Sequence, residues 1–293
     1  MLFLKLKLLP GVVYHKGFIK LYFLPDFFPD FLKTFSLFNV MVVLALLVAN
    51  YVLQREFERY KLKANIADSI ILATIFFGYL GAKVFGALEV YDKWQSLSDF
   101  FHLIFSFETE GLAWYGGLTF VLLYSIRIAK RNKIPFFYLL DRTAPALAIG
   151  YAIGRLGCFF SGDGCYGGLC NAPVPFCMNF SQGADTASWH KIQSLATHYN
   201  LEALAWNTPL MASLFSIALF FLLQSYRKNK FPIGTNFIAF IFIHSIYSFF
   251  IEFIRLNPAN FLGLTQAQFF SIILIALCIA GFFYIWKKPV VFE

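Results

Sequence analysis

The chain has 293 residues, of which 59% are apolar and only 14% charged, and its mean hydropathy is +0.66. A soluble domain carries about a quarter charged residues, so this composition excludes an ordinary soluble enzyme and points to a polytopic membrane protein. The formal net charge of +8 would suggest a nucleic-acid partner in a soluble chain. Here the Lys and Arg residues sit in short clusters between apolar runs, as orientation signals do, and no nucleic acid is expected.

Residues 1–35 read as an amphipathic, interfacial arm. Lys5 and Lys7 interrupt its leucines, and its apolar run is too short and broken for the core of a signal peptide. A bilayer core of about 30 Å needs roughly 20 apolar residues per helix. About seven stretches qualify: Phe38 to Leu53, Ile66 to Leu88, Gly111 to Ile128, Pro145 to Ser161, Leu210 to Tyr226, Gly234 to Ile254 and Gln266 to Trp286. The predicted fold class is therefore an all-α bundle of about seven transmembrane helices.

Loop charge orients the bundle. Arg55, Arg59, Lys61 and Lys63 follow the first span, Lys130, Arg131, Lys133 and Arg142 the third, Arg227, Lys228 and Lys230 the fifth, and Lys287 and Lys288 the seventh. Those sides are expected to be cytoplasmic, with the N-terminus out and the C-terminus in. The intervening loops are acidic or nearly free of Lys and Arg. No repeat or linker divides residues 1–293, which read as a single membrane domain with one sizeable insertion on the outer, periplasmic side at 162–208. Gly, Ser, Asn and Pro predict that much of this insertion is irregular.

Polar residues gather at the outer ends of the spans. Arg155 and Asp163 close the fourth, where a central arginine costs about 2.5 to 3.5 kcal/mol on insertion scales and is usually held toward an interior site. Gly150 and Gly154 show the small-xxx-small spacing of close helix packing. On the sixth span His244, Ser248, Glu252 and Arg255 form one helical stripe. Glu252 and Arg255 alone would read equally as an i, i+3 ion pair. Tyr115, Gly116 and Gly117 open the third span, where the aromatics alone would read as an interfacial belt. Lys83, for which snorkelling alone would serve, approaches the outer end of the second. A site for an anionic ligand accounts for such a gathering, because guanidinium forks suit phosphate.

These residues resemble the prolipoprotein diacylglyceryl transferases. The resemblance rests on Gly81-Ala-Lys-Val, on Gly111-Leu-Ala-Trp-Tyr-Gly-Gly117, and on Asp141-Arg-Thr-Ala-Pro145 leading into Gly154-Arg-Leu-Gly-Cys-Phe-Phe-Ser-Gly-Asp-Gly-Cys-Tyr-Gly167. It continues through Glu252-Phe-Ile-Arg255 and Gly263-Leu-Thr-Gln-Ala-Gln268. It implies transfer of a diacylglyceryl group from phosphatidylglycerol to the lipobox cysteine thiol of an exported prolipoprotein, at the bacterial inner membrane, without a cofactor. By that resemblance Arg155 binds phosphate, and Tyr115 stands where many members have histidine and others tyrosine. Glu252 and Asp163 orient Arg155 or the donor head group, while Arg255, Lys83, Gly116, Gly117, Gly154 and Cys158 line the substrate site.

The chain departs from the family pattern where a His-Pro-Thr-Pro-Leu-Tyr-Glu segment becomes Trp206-Asn-Thr-Pro-Leu-Met211-Ala212, and where Ser248 replaces an arginine. A family-derived protein that binds phospholipid or lipoprotein precursors without chemistry is thus an alternative reading, and an unrelated transporter a more distant one. Among Cys165, Cys170 and Cys177 one disulfide bracing the outer loop is expected. The cysteine spacings match no common zinc site, so no metal is expected. Cys158 also reads as a small packed residue, and His190 and His198 as solvated.

Overall fold

A computed structural model describes residues 12–15, 18–21, 34–89, 96–105, 114–172, 175–181, 183, 186–226, 231–257, 259–261 and 263–287. Helices dominate it: α1 (Leu37–Arg59), α2 (Ala64–Glu89), α3 (Leu97–Phe105), α4 (Trp114–Arg131), α5 (Phe136–Ser161), α6 (Ala187–His198), α7 (Thr208–Ser225), α8 (Thr235–Ile251) and α9 (Gln266–Lys287). Strands are confined to short antiparallel sets: β1 (Val12–His15), β2 (Phe18–Leu21) and β3 (Thr34–Ser36), then β4 (Cys177–Met178) with β5 (Ala205–Trp206), and β6 (Ala259–Phe261) with β7 (Leu264–Thr265).

Six helices among the described residues, α1, α2, α5, α7, α8 and α9, are long and apolar enough to cross a membrane. Their outer surfaces are greasy: Phe76, Phe221, Phe250, Leu277 and Phe283 are between 62% and 69% exposed. In water such faces would aggregate, whereas lipid is their natural solvent. The chain is a multi-pass, predominantly helical membrane protein. The expected third span does form a helix, α4, but with 18 residues and Arg127, Lys130 and Arg131 in its last turns it falls outside the six. The fourth span begins at Phe136, nine residues before the expected start, and carries Pro145 inside it. Proline suits a first turn, which is why the sequence suggests a start there, but membrane helices tolerate it internally.

Two further segments contain regular structure. Part of the N-terminal arm is a β-meander, with Val12 opposite Leu21 and Phe18 opposite Ser36, and its remainder lies outside the described residues. The outer insertion contains the 12-residue helix α6, whose N-cap Thr186 accepts from the Trp189 amide at 3.2 Å. The acidic residues Asp92, Glu108 and Glu110 and the basic residues Arg227, Lys228, Lys230 and Lys288 lie outside the described residues.

The described chain groups into two compact units, residues 1–49 with 144–293, and residues 50–143. In the second unit α2 and α4 touch backbone to backbone through Gly78, Gly81, Gly116 and Gly117. A Cβ on Gly116 would overlap the Gly81 carbonyl, and one on Gly117 would lie 2.8 Å from the Gly78 carbonyl. Phe77 stacks on Tyr124 at 4.4 Å beside this seam. In the same unit Asn50 and Gln54 both donate to Asp68 Oδ1, at 3.2 and 2.8 Å, joining α1 to α2, and the Arg142 guanidinium lies 3.4 Å over the Tyr60 ring.

In the first unit Ala144 and Ala148 of α5, Leu219 and Leu223 of α7 and Phe240 of α8 form one core, and Ile238, Cys278 and Ile285 join α8 to α9. Helix α5 also rests on α1. Gly150 faces Ala49 at 3.4 Å and Gly157 faces Met41 at 3.0 Å from an ideal Cβ, whereas nothing stands within 4 Å of that position at Gly154. The packing pair is thus Gly150 and Gly157, not Gly150 and Gly154.

Substituting Gly116→Ala forces a methyl against backbone that no side-chain rotation can relieve. The variant is expected to lose about 1 to 3 kcal/mol of stability, read as a lower thermal midpoint of the detergent-solubilised protein. Gly154→Ala, facing open space, is expected to leave the midpoint unchanged.

Candidate functional site

The first unit assembles a polar site where α5 ends and the outer loop begins. Arg155 lies one turn after Tyr151, and its Nε–H donates to the Tyr151 hydroxyl at 2.9 Å. Among the described residues no carboxylate pairs with this guanidinium, so four of its five N–H donors remain for another partner. The Tyr151 ring meets His244 of α8 edge-on at 4.7 Å, and Phe215 of α7 stacks on Tyr247 at 4.0 Å. Both His244 and Tyr247 sit within electrostatic range of Arg155. His244 Nδ1, the Tyr247 hydroxyl and Arg255 Nε are buried without a hydrogen-bond partner among the described residues, an unusual concentration of unsatisfied polar atoms for one region.

Beyond α8 a short 3-10 turn, Glu252–Ile254, delivers the next charged pair. Glu252 is 3% exposed, its carboxylate lies 3.6 Å from Arg255 Nη1, and it also accepts from Asn257 Nδ2. The ion pair expected at i, i+3 is therefore present, and it is buried on the Glu252 side. Arg255 acts electrostatically on Tyr247 and Cys165 together with Arg155, which places both guanidiniums around one locale.

The loop after Ser161 turns back on itself because Gly162 and Gly164 adopt positive φ angles of 59° and 88°, which side chains with a Cβ avoid. This returns Asp163 and Cys165 to the end of α5. The Cys158 and Cys165 sulfurs and an Asp163 carboxylate oxygen all lie within 4.8 Å of one another. Asp163 Oδ1 accepts from the Cys165 amide at 3.2 Å, and the Thr208 hydroxyl donates to the Cys165 carbonyl at 2.7 Å. A hydrogen bond from the Cys158 thiol lowers the Cys165 thiol below its ordinary range.

Downstream, Gly167 and Gly168 are stitched to the site by two amides, Gly167 N–H to the Trp206 carbonyl and Gly168 N–H to the Ile254 carbonyl, both at 2.8 Å. A Cβ on Gly167 would stand 2.5 Å from the Ile254 carbonyl. Cys170 and Cys177 form a disulfide, as the sequence suggests for one pair of the loop, and Cys177 pairs with Trp206 in the β4–β5 ladder. Fully buried Asn207 caps α7, accepting from the Leu210 amide at 3.3 Å and donating to the Pro175 carbonyl at 3.1 Å. Trp206 and Asn207 therefore have a structural task at the entry to α7. His190 and His198 are exposed on α6.

Of the candidate residues, Arg155, Asp163, Glu252, Arg255, Gly154 and Cys158 belong to the first unit. Lys83, Tyr115, Gly116 and Gly117 belong to the second, where Lys83 is buried at 3% exposure rather than extended to solvent and the two glycines pack on α2. The side chain of Tyr115, at the start of α4, lies outside the described residues. The sequence reading missed Tyr151, whose i, i+4 spacing to Arg155 was the available signal, and the return of Cys165 to Cys158, which depends on two glycine conformations.

Replacing Gly167 by alanine is expected to lift the outer loop from the 3-10 turn, because the methyl meets backbone on one side and Trp206 on the other. Faster proteolytic cleavage within 162–208, with the helical circular dichroism retained, is the measurement that checks it.

A family model described as prolipoprotein diacylglyceryl transferase matches residues 31–284. A phosphatidylglycerol–prolipoprotein diacylglyceryl transferase of Leptospira interrogans is 31% identical over 249 residues, covering 77% of this chain and 73% of the relative. One from Clostridium perfringens, designated transferase 2, is 29% identical over 253 residues, 83% of this chain and 88% of the relative. Another from Enterobacter is 27% identical over 235 residues, 77% and 80% of the two chains. The chain belongs to the prolipoprotein diacylglyceryl transferase family.

Proposed function

We propose that this protein transfers the diacylglyceryl group of phosphatidylglycerol to the lipobox cysteine thiol of exported prolipoproteins, at the inner membrane of a bacterium. The relatives' names support a transferase over a binding protein that lacks chemistry, and the apolar helices support a multi-pass enzyme working on a lipid. The observation that carries the reading is Arg155: a guanidinium held by a phenol, without a carboxylate partner among the described residues, beside buried polar atoms that lack partners.

In the reaction the acceptor sulfur attacks the glyceryl carbon that bears the phosphate ester. A carbon–sulfur bond forms, the carbon–oxygen bond to phosphorus breaks, and glycerol phosphate leaves with the electron pair. The thiol must first lose its proton, since the thiolate is the nucleophile. The leaving phosphate gains negative charge in the transition state. Arg155 is the group to receive that charge, because a preorganised guanidinium stabilises it without reorganising. Arg255, anchored through Glu252 at 3.6 Å, adds a second cation whose position the buried carboxylate fixes. Asp163, at the turn, lies beside Cys158 and Cys165 and orients the loop over the site. Gly154 leaves open space next to the backbone one residue before Arg155, room that a head group can use.

Incubating the purified protein with labelled phosphatidylglycerol and a lipobox peptide should yield a thioether product. Failure to form it, where a standard family member succeeds, would overturn the reading. Arg155→Lys keeps the charge but loses the fork, and transfer is expected to fall roughly ten- to a hundred-fold, the equivalent of one charge-assisted contact. Glu252→Gln is expected to reduce transfer as well, through release of Arg255.

A further inference from the structure

The chemistry above needs a device that turns the acceptor thiol into a thiolate. Where the family pattern has a histidine in many members this chain has Tyr115, and a phenol of pKa near 10 is a weak base at neutral pH. The first unit contains a group of residues that can do the same job differently. We propose that Cys158, Asp163 and Cys165 are a three-ligand site for Zn2+, and that its fourth position takes the acceptor cysteine of the prolipoprotein and holds it as the thiolate. The acceptor half of this proposal rests on the transferase reading, whereas the metal site itself does not.

Three observations carry it. The two sulfurs and the carboxylate oxygen lie within 4.8 Å of one another, a grouping that could hold one metal ion. The convergence is built by the backbone: Gly162 and Gly164 at positive φ fold the chain back, the Cys165 amide bonds Asp163, and Thr208 fixes the Cys165 carbonyl. The donor set is also chemically selective, because two soft thiolates with one carboxylate suit zinc, while magnesium and calcium favour oxygen ligands alone. Cys158 and Cys165 are outside the disulfide, and Cys158 is buried.

The charge balance agrees. Two thiolates and one carboxylate carry −3, Zn2+ brings this to −1, and Arg155 supplies a guanidinium within electrostatic range of both cysteines and without a carboxylate partner among the described residues. A site with three protein ligands and one open position is the arrangement of catalytic rather than structural zinc. A thiol that enters the open position is deprotonated on binding. The acceptor proton then leaves to solvent or buffer as the sulfur binds, and the bound thiolate attacks the glyceryl carbon as already described. The linear spacing hides this site, since i, i+5 and i+7 match no common zinc pattern.

The test uses the full-length protein in detergent, purified without reductant, stripped by a chelator and titrated with Co2+ as the spectroscopic stand-in for Zn2+. One equivalent of Co2+ should bind and give near-ultraviolet thiolate-to-cobalt charge transfer. Cys158→Ser and Cys165→Ser should each diminish the band, Asp163→Asn should weaken Co2+ binding by roughly tenfold or more, and Cys278→Ser should leave it intact. A lipobox peptide added without phosphatidylglycerol should intensify the band, and its Cys→Ser counterpart should not. No stoichiometric binding, a band that survives both cysteine substitutions, or a Cys158–Cys165 disulfide found by peptide mass mapping of unreduced protein would overturn the site.

A cobalt spectrum indifferent to the peptide, or full transfer by protein shown to be free of metal, would overturn the acceptor role. If the band and its response to peptide are present but no thioether forms with phosphatidylglycerol, the metal site stands and the transferase reading falls.

Discussion

The site depends on one arginine that no carboxylate neutralises among the described residues. A guanidinium at the end of a membrane helix is expensive to bury, and the usual remedy is a carboxylate at hydrogen-bond distance. Arg155 has instead a phenolic oxygen at 2.9 Å, with the ring of the same tyrosine beneath it and the guanidinium carbon 5.0 Å from the ring centre. A neutral acceptor fixes the direction of the side chain without cancelling its charge. The buried carboxylate of Glu252 is committed to Arg255 and Asn257. The protein thereby keeps a positive field where α5 ends.

Holding such a charge in place demands rigidity around it, and the outer loop supplies that. Its anchor points are independent of one another in kind: a disulfide at Cys170 and Cys177, a buried asparagine cap at Asn207, amide bonds from Gly167 and Gly168, and an aromatic core of Tyr166, Phe180 and Trp189. Tyr166 lies 4.6 Å from Phe180 in a stacked pair, and its hydroxyl bonds Thr186, which caps α6. Together these contacts tie the described part of the loop to the start of α7 and to the 3-10 turn after α8.

Much of this was legible in the sequence, for specific physical reasons. Apolar runs long enough to cross a bilayer announce themselves, and six expected spans end within a few residues of the observed helices at most boundaries. The fourth did not, since Pro145 reads locally as a start and the helix gains its earlier turns from packing in residues 136–144, where Leu139 and Ala144 are fully buried. Arg155, Glu252 and Arg255 stood out in the sequence because a charge inside an apolar run needs a reason. What stayed hidden depends on backbone conformation: that Gly154 packs against nothing while Gly157 does, and that two left-handed glycines bring Cys165 to Cys158.

The glycines of this chain accordingly divide by what their missing side chain permits. Gly81, Gly116, Gly150 and Gly157 let helices approach, Gly162 and Gly164 let the chain reverse, and Gly167 lets the loop lie on the Ile254 carbonyl. Gly154 does none of these, and it is the residue adjacent to Arg155. A side chain there would meet no atom within 4 Å of its Cβ, so the absence of one preserves volume rather than contact. Space and charge thus fall on two consecutive residues, which in a helix point about 100° apart, so the open flank and the cation lie on neighbouring faces of α5.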